Sequence, residues 1–122
     1  ALARAREHGA RAARARVLRG LIRERASDPS VNEGRLGAEL GMSERSVQKL
    51  LRDVGTSFGS ELLAARLDWA ASALAGRHAT RASIARIAFE AGFNSVPTFY
   101  RAFRARYGVA PGEARERKDD CS

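Results

Sequence analysis

Leu36-Gly-Ala-Glu-Leu-Gly-Met-Ser43 and Ile87-Ala-Phe-Glu-Ala-Gly-Phe-Asn-Ser95 are two stretches of this chain that share one layout. Each consists of a short apolar segment, a glycine and, shortly after it, a serine. Glycine readily adopts the left-handed conformation that closes a helix, and serine is a preferred cap for the start of the next helix. The layout therefore predicts a helix, a tight turn and a second helix at two places in the chain.

Apolar and polar residues alternate at helical spacing in the segment that follows each serine. The side that we expect to face a core carries Val47, Leu50, Leu51 and Val54 in the first segment, and Phe99, Ala102, Phe103 and Arg106 at the corresponding positions after Ser95. The opposite side carries Arg45, Gln48, Lys49 and Arg52 in the first segment, and Pro97, Tyr100, Arg101 and Arg104 in the second. A polar, basic side opposite a buried one is what a helix inserted into a DNA major groove needs.

Basic residues outnumber acidic ones by 22 to 14, which gives the chain a formal net charge of +8 at pH 7. All of the basic residues except Lys49 and Lys118 are arginine. Arginine can form paired hydrogen bonds with phosphate or guanine, whereas lysine acts as a point charge. A GC-rich gene would also encode a protein rich in arginine and alanine, whatever the partner of that protein. The charge therefore supports a nucleic-acid partner without identifying one.

Several other classes of protein are disfavoured by the composition. Cys121 is the only cysteine, so no internal disulfide can form. His8 and His78 have no neighbours at the spacing of metal ligands, and no cofactor is expected. Arg66 and Asp68 interrupt the longest apolar run, so no membrane segment is expected. Paired carboxylates, a nucleophile with its base and a phosphate-binding glycine loop are not recognisable in the sequence. We expect a cytoplasmic protein that is not an enzyme.

The pattern divides the chain into five parts. They are a linker or frayed N-terminal segment (1–9), a first helix-turn-helix subdomain (10–56), a connecting helix (57–76), a second helix-turn-helix subdomain (77–116) and a disordered tail (117–122). No segment shows the alternation of a strand. The predicted fold is all-α, with about seven helices in two helix-turn-helix subdomains joined by a long central helix.

Boundaries and core positions follow from the same periodicity. We expect a first helix from about Arg11 to Ala26, a long helix from about Ser57 to Ala75 and a polar loop over 77–82. Asn32, Ser43, Ser83 and Ser95 are placed to cap helices, and Pro111 is placed to start a short terminal helix. The predicted core includes Val17, Leu18, Leu21 and Ile22 in the first helix, Phe58, Leu62, Leu63, Leu67, Ala70, Ala71 and Leu74 in the long helix, and Phe93, Phe99, Phe103 and Tyr107 in the second subdomain. Trp69 of the long helix is expected to lie in the core or in packing between the subdomains.

A set of short motifs occurs in order between residues 12 and 115. These motifs are Gly41-Met-Ser43, Arg66-Leu-Asp-Trp-Ala70, Ile84-Ala-Arg-Ile-Ala88, Ala91-Gly-Phe93, Phe99-Tyr-Arg-Ala-Phe103 and Tyr107-Gly-Val-Ala-Pro111. The set resembles the DNA-binding domain of AraC/XylS-type bacterial transcription regulators. The resemblance implies sequence-specific binding of double-stranded DNA, with recognition helices at about 44–54 and 95–107 in successive major grooves of an asymmetric site. It also implies RNA polymerase and an N-terminal sensor domain outside this chain as partners.

The resemblance also assigns roles to individual residues. Contacts to bases fall on Arg45, Gln48 and Lys49 in the first motif and on Val96, Pro97, Thr98 and Arg101 in the second. Contacts to the DNA backbone are expected from Ser43, Arg52, Ser95, Tyr100 and Arg104. Arginine or lysine can donate to guanine, and glutamine can pair with adenine. Val96 and Pro97 have no side-chain donors, so their contact would be apolar, for example with a thymine methyl group.

Two other functions fit parts of the pattern. The apolar start of the second recognition helix, Val96-Pro97, would suit an architectural protein that binds DNA with low specificity. A helical module that binds other proteins would use the long central helix instead. The salt dependence of DNA binding and the ratio of affinities for selected and scrambled duplexes distinguish the three functions.

Overall fold

A computed structural model describes residues 2–76 and 83–120 of the chain, with the side chains of residues 3–76 and 83–115. The described elements are α1 (Leu2–Arg25), α2 (Glu33–Leu40), α3 (Glu44–Asp53), α4 (Phe58–Ala75), α5 (Ile84–Ala91), α6 (Val96–Tyr107) and α7 (Pro111–Asp120). The prediction of an all-α fold is confirmed over this part of the chain. The polar loop expected at 77–82 lies outside the described residues.

The first and last helices are longer than the sequence pattern indicated. α1 begins at Leu2 instead of near Arg11, and so includes most of the segment expected to be a linker or frayed end. Alanine and arginine are among the best helix formers, and Gly9 costs only about 1 kcal/mol relative to alanine in a helix. α7 continues to Asp120, into the part of the tail that was expected to be disordered.

The chain divides into two compact units, and each has a hydrophobic core of its own. Unit 1 consists of Ala1–Ala26 and Ser30–Leu63, and unit 2 of Ser27–Pro29 and Ala64–Ser122. The division falls inside α4, so the first turns of this helix belong to unit 1 and the rest to unit 2. Each unit contains one of the two turns that the sequence predicted.

In unit 1, α1, α2 and α3 pack around a small aliphatic core. The side chains with least exposure are Leu18, Ile22, Leu36, Val47 and Leu51. Full burial of a Leu, Ile or Val side chain contributes about 1.5–3 kcal/mol each. The core face predicted for α3 is therefore confirmed at three positions, since Leu50 is also buried.

Val17 and Val54 were predicted to be core residues of unit 1 and are exposed instead. Val17 is 59% exposed, because the inward face of α1 is set by Ala15, Leu18 and Ile22, and Val17 lies roughly 100° around the helix from Leu18. Val54 is 37% exposed, because the helical conformation ends at Asp53 and the helical period no longer orients the next residue.

In unit 2, α4, α5 and α6 enclose a core that is rich in phenylalanine. Phe99 and Phe103 are fully buried, and Phe93 contacts Phe99 edge to face with 5.2 Å between ring centroids. Leu67 and Leu74 of α4 complete this core.

The other exceptions to the predicted core lie on α4 and at the end of α6. Leu63 and Trp69 are about 40% exposed, because the buried positions of α4 are Ala65, Leu67, Ala70 and Leu74. Tyr107 packs its ring on Phe103 and donates its hydroxyl to Asp68, but the residue is 36% exposed. Leu63 and Tyr107 were predicted to be core, and that prediction was wrong for both. Trp69 was predicted to lie in the core or in packing between the subdomains, and the first of these two predictions was wrong.

The turn between α2 and α3 depends on two glycines. Gly41 has φ 67° and closes α2 in the left-handed conformation, as predicted, and Gly92 does the same for α5 with φ 109°. Gly37 is buried one turn earlier, and its carbonyl accepts the N–H of Met42 at 2.7 Å. A Cβ atom at Gly37 would lie 2.5 Å from the Met42 carbonyl oxygen. The chain can therefore turn this closely only because residue 37 has no side chain.

Candidate nucleic-acid interface

The two candidate recognition helices start at side-chain caps. The Ser43 hydroxyl oxygen accepts the N–H of Ser46 at 3.1 Å at the start of α3, and the Ser95 hydroxyl oxygen accepts the N–H of Thr98 at 3.4 Å at the start of α6. Asn32 and Ser83 cap α2 and α5 in the same way, so the four predicted caps are confirmed. A cap of this kind contributes about 1 kcal/mol and fixes the residue at which a helix begins.

The polar side of α3, which we call the first basic stripe, consists of Arg45, Gln48, Lys49 and Arg52. All four side chains are exposed. None forms a side-chain hydrogen bond or an ion pair with any residue that the structure describes. Val47 and Leu51 on the opposite side are fully buried and hold the helix on unit 1. The first basic stripe therefore presents three cations and one amide, which can both donate and accept, on a fixed surface.

The corresponding side of α6, the second basic stripe, consists of Pro97, Tyr100, Arg101 and Arg104. All four side chains are exposed. Arg101 makes one long contact, 3.5 Å from its Nη2 to the Thr98 hydroxyl oxygen, which joins two of the predicted base-contacting residues. Tyr100 packs its ring edge against Phe99. The second basic stripe therefore carries two guanidinium groups, whereas the first basic stripe carries two guanidinium groups and the ammonium group of a lysine.

The other residues that were predicted to contact DNA in the second motif lie at the start of α6. Pro97 and Thr98 are exposed, whereas Val96 and Ser95 are half-buried. Pro97 occupies a first-turn position, where a missing N–H costs no helical hydrogen bond. Val96 can therefore offer only part of its side chain to a ligand. The predicted contacts of the second motif extend along α6, from its cap at Ser95 to Arg104 in its last turn.

Glu90 is the one carboxylate of α5 and is chemically suited to pair with an arginine of α6. Glu90 instead accepts from Arg86 at 2.9 Å within α5. Arg101 and Arg104 thus have no carboxylate partner among the described residues.

The end of α6 is attached to α4 by a polar cluster that the sequence patterns did not indicate. One carboxylate oxygen of Asp68 accepts from Arg106 Nη2 at 3.1 Å, from Arg106 Nε at 3.2 Å and from the Tyr107 hydroxyl at 2.8 Å. The Arg106 guanidinium also lies 5.7 Å from the centre of the Tyr107 ring. Burial raises the pKa of Tyr107, and its hydrogen bond to Asp68 adds to the effect. Tyr107 therefore remains protonated at neutral pH and donates to Asp68.

Asp68 belongs to this site as a positioning residue, although no local pattern marks it. Its two partners are 38 and 39 residues away in the sequence. The one available signal was that Asp68, with Arg66, interrupts the longest apolar run of the chain. The cluster holds the C-terminal turn of the second recognition helix in a fixed orientation within unit 2.

The described part of the chain has no group of three or more His, Cys, Asp or Glu side chains arranged to hold a metal ion. Among the helices described, none combines the length and the apolar character needed to span a bilayer. The chemistry available at the two stripes is hydrogen bonding and charge pairing by arginine, lysine and glutamine.

Comparison with known proteins relates the chain to transcription regulators. A family model described as a helix-turn-helix domain matches residues 36–117. Transcriptional activator RhrA of Rhizobium meliloti (strain 1021) is 43% identical over 75 residues, which are 61% of this chain and 23% of RhrA. Transcriptional activator NphR of a Rhodococcus species is 34% identical over 96 residues, which are 79% of this chain and 28% of NphR. The chain thus spans about a quarter of the length of these curated relatives.

Solved structures give the same relationship. A DNA-binding transcriptional dual regulator from Escherichia coli K-12 superposes with a TM-score of 0.76 at 29% identity, over 84% of this chain and 89% of that one. A transcriptional regulator from Chromobacterium violaceum, described as containing an AraC-type DNA-binding domain, superposes with a TM-score of 0.70 at 26% identity, over 81% of this chain and 86% of that one. The similarity covers both units.

Proposed function

The chain belongs to the helix-turn-helix family of AraC/XylS-type transcription regulators, and on this premise we propose that it binds double-stranded DNA sequence-specifically through α3 and α6. In this proposal it regulates transcription and performs no chemistry on the DNA. The observation that carries the proposal is the first basic stripe, whose four exposed side chains have no protein partner among the described residues. A rigid helix with free donors on one side is suited to reading base edges in a major groove.

In the first motif, we assign base contacts to Arg45, Gln48 and Lys49. Arg45 and Lys49 can donate to the O6 and N7 atoms of guanine, and Gln48 can form paired hydrogen bonds with adenine. Arg52 and the capped start of α3 at Ser43 are assigned to the phosphate backbone, because helix starts and arginine side chains commonly make such contacts. The three base-contacting side chains occupy one exposed side of α3, which supports their acting on neighbouring base pairs.

In the second motif, polar contact with bases depends on Thr98 and Arg101. Pro97, with the exposed part of Val96, supplies apolar contact. Ser95, Tyr100 and Arg104 are assigned to the backbone. Because this half has fewer base-directed donors than the first, the two half-sites should differ in sequence, and the whole site should be asymmetric.

The parent protein is proposed to be a regulator in the bacterial cytoplasm. Two of the curated relatives are named transcriptional activators, and the chain corresponds to about a quarter of each. We propose that this domain acts with an N-terminal sensor domain and that it influences RNA polymerase from its DNA site.

The experiment that tests base readout compares Arg45→Ala with Arg16→Ala. Arg16 is exposed on α1 and has no ion pair with any described residue, so its replacement removes the same charge from a different surface. Affinities are measured at one salt concentration for a duplex obtained by in vitro selection and for a scrambled duplex. Arg45→Ala should weaken binding to the selected duplex by ~1–3 kcal/mol and relax preference at one base pair, with a smaller loss on the scrambled duplex. Equal losses on the two duplexes would argue against base readout.

One alternative function is kept because of a specific observation, the absence of side-chain donors at Val96 and Pro97. An architectural protein of low specificity would bind the selected and the scrambled duplexes with a ratio near one. A protein-binding module would instead show DNA binding that hardly changes with salt. The wild-type measurements in the same experiment distinguish these outcomes.

A further inference from the structure

Unit 1 contains a cleft that runs between α1 and α3, and none of the assignments above uses its α1 side. Its volume is about 360 Å³. Arg11 and Arg14 line it on the α1 side, and Ser43, Ser46, Lys49 and Asp53 line it on the α3 side. Met42 and Leu50 contribute apolar surface at its floor. The cleft therefore begins where the first recognition helix begins.

The charges in the cleft are unbalanced. Arg11 lies 3.8 Å from the carboxylate of Asp53, at the long end of the range for an ion pair. Arg14 and Lys49 form no ion pair with any residue that the structure describes. Three cations thus face one carboxylate, and the remaining positive charge has no protein counter-ion in the described part of the chain. A concave surface with excess positive charge favours binding of an anion.

The position of Lys49 indicates where the anion comes from. Lys49 belongs both to this cleft and to the first basic stripe. An anion held between Lys49 and Arg14 would therefore lie beside the helix that is proposed to contact bases. The phosphates of a duplex bound by α3 flank its major groove on both sides, so a phosphate of that duplex can reach the cleft while Arg45 and Gln48 contact base edges.

We propose that this cleft binds a phosphate of the DNA strand that flanks the first recognition helix, with Arg14 as the principal donor and Lys49 and Arg11 supporting it. This inference rests on the proposed DNA-binding function and adds α1 to the contact surface. Lys49 then divides its role between base and phosphate. The arginine side chain suits the task because its fork can donate two hydrogen bonds to one phosphate group.

Arg16→Gln provides a matched control for Arg14→Gln. Both arginines are exposed on α1 and lie two residues apart, so the two variants change the net charge equally and use the same replacement residue. Glutamine keeps most of the aliphatic stem, which matters at residue 14 because this side chain also borders Leu40 and Met42. The unfolding midpoints of both variants, which should equal that of the wild type, verify that each is folded.

Binding is measured on the selected and scrambled duplexes between about 0.05 and 0.2 M salt. Arg14→Gln should weaken binding to both duplexes about three- to tenfold and reduce the slope of log K against log salt by about one. Arg16→Gln should stay within about twofold of the wild type with an unchanged slope. If the two variants give the same affinities and slopes, the proposal is overturned.

Phosphate ethylation interference identifies the contacted group directly and separates a DNA phosphate from a free phosphate ion. In the wild type, ethylation of one phosphate beside the first half-site should block binding, and in Arg14→Gln that interference should be absent. Interference that is unchanged in Arg14→Gln would contradict the assignment. A wild type without preference for the selected duplex would count against base readout, yet the comparison of Arg14→Gln with Arg16→Gln would still decide the phosphate contact.

Discussion

Gly37 and Gly41 determine the turn before the first recognition helix by different means. Gly41 supplies a left-handed conformation, and Gly37 supplies space for the Met42 carbonyl. In the second motif the position that corresponds to Gly37 is Ala88, which is fully buried and whose carbonyl accepts the N–H of Phe93 at 3.0 Å. The second turn thus tolerates a methyl group where the first tolerates none.

Replacing Gly37 with alanine should destabilise unit 1 by ~1–3 kcal/mol, the usual cost of overpacking a core. The new Cβ would lie 2.5 Å from the Met42 carbonyl oxygen and 3.3 Å from Val47 Cγ2, and the first of these is a backbone atom that cannot rotate away. Equilibrium unfolding in denaturant measures the change. The control is Gly20→Ala on α1, where a Cβ meets no atom within 4 Å and helix propensity should raise stability by up to ~1 kcal/mol. A Gly37→Ala protein as stable as Gly20→Ala would show that the turn is not tightly packed.

At the level of single residues, the features that could be predicted from the sequence are those that depend only on residues close by in the chain. Gly41, Gly92 and the serine caps could be identified because a left-handed glycine and an N-cap act within a few residues. Gly37 could not be identified as essential, since its constraint is a contact that exists only after the chain has turned. The assignment of base contacts to particular stripe residues stays a prediction.

Among the elements, α6 is held at both ends by interactions of different kinds. Its start is fixed by the Ser95 cap and by the burial of Phe99, and its last turn by Asp68 of α4. Asp68 and its partners are partly exposed, so water screens their attraction and the cluster contributes modestly to stability. Its main effect is on the orientation of the helix, because three donors converge on one carboxylate oxygen.

The pKa shift of Tyr107 predicts a loss of stability in alkaline solution. The pKa in the folded chain is raised above the ordinary value of 10.0, so the neutral phenol is favoured by folding. The stabilisation is fully present below about pH 10 and is lost as the pH rises through the raised pKa. Tyr107→Phe should therefore be less stable than the wild type by about 1 kcal/mol at neutral pH, and this difference should disappear at high pH.

Thermal unfolding of unit 2 followed from pH 7 to pH 12 measures this difference. Tyr100→Phe is the matched control, because Tyr100 contacts Phe99 through its ring and its hydroxyl has no partner among the described residues. Tyr100→Phe removes a hydroxyl but no hydrogen bond to a described residue, so its stability at neutral pH should stay close to that of the wild type. A constant difference between Tyr107→Phe and the wild type over the whole range would contradict the role assigned to the hydroxyl.

The limits of the helices were predictable where a cap or a proline marks them and were not predictable elsewhere. α2, α3, α5 and α6 begin at the predicted caps. α1 has no such signal before Gly9, and its early start reflects the helix propensity of its Ala and Arg residues. The exposure of Val17 and Trp69 could not be foreseen, because hydrophobic periodicity on a long helix does not say which of two adjacent apolar residues turns inward.

For the molecule as a whole, the structure shows where the residues that carry the excess positive charge lie. Some arginines are used inside the units, such as Arg19, which lies 2.9 Å from Glu61, and Arg25, which lies 3.3 Å from Glu39. The arginines of the two basic stripes, and those that line the cleft between α1 and α3, form no ion pair with a described residue, apart from the long contact between Arg11 and Asp53. A net charge of +8 indicated only that a polyanion was a suitable partner. The unpaired cations of the described residues include those of the two basic stripes on α3 and α6, Arg14 beside α3, and Arg16 elsewhere on α1.

The central claim is that each unit contributes one helix that contacts bases in a major groove. Methylation interference on the selected duplex tests it most directly, with a first-stripe variant (Arg45→Ala, Gln48→Ala, Lys49→Ala) and a second-stripe variant (Thr98→Ala, Arg101→Ala). The wild type should show two separate clusters of interfering bases about 10 base pairs apart, and each variant should lose only one of them. A single cluster that both variants abolish, or binding that no methylated base affects, would contradict the claim.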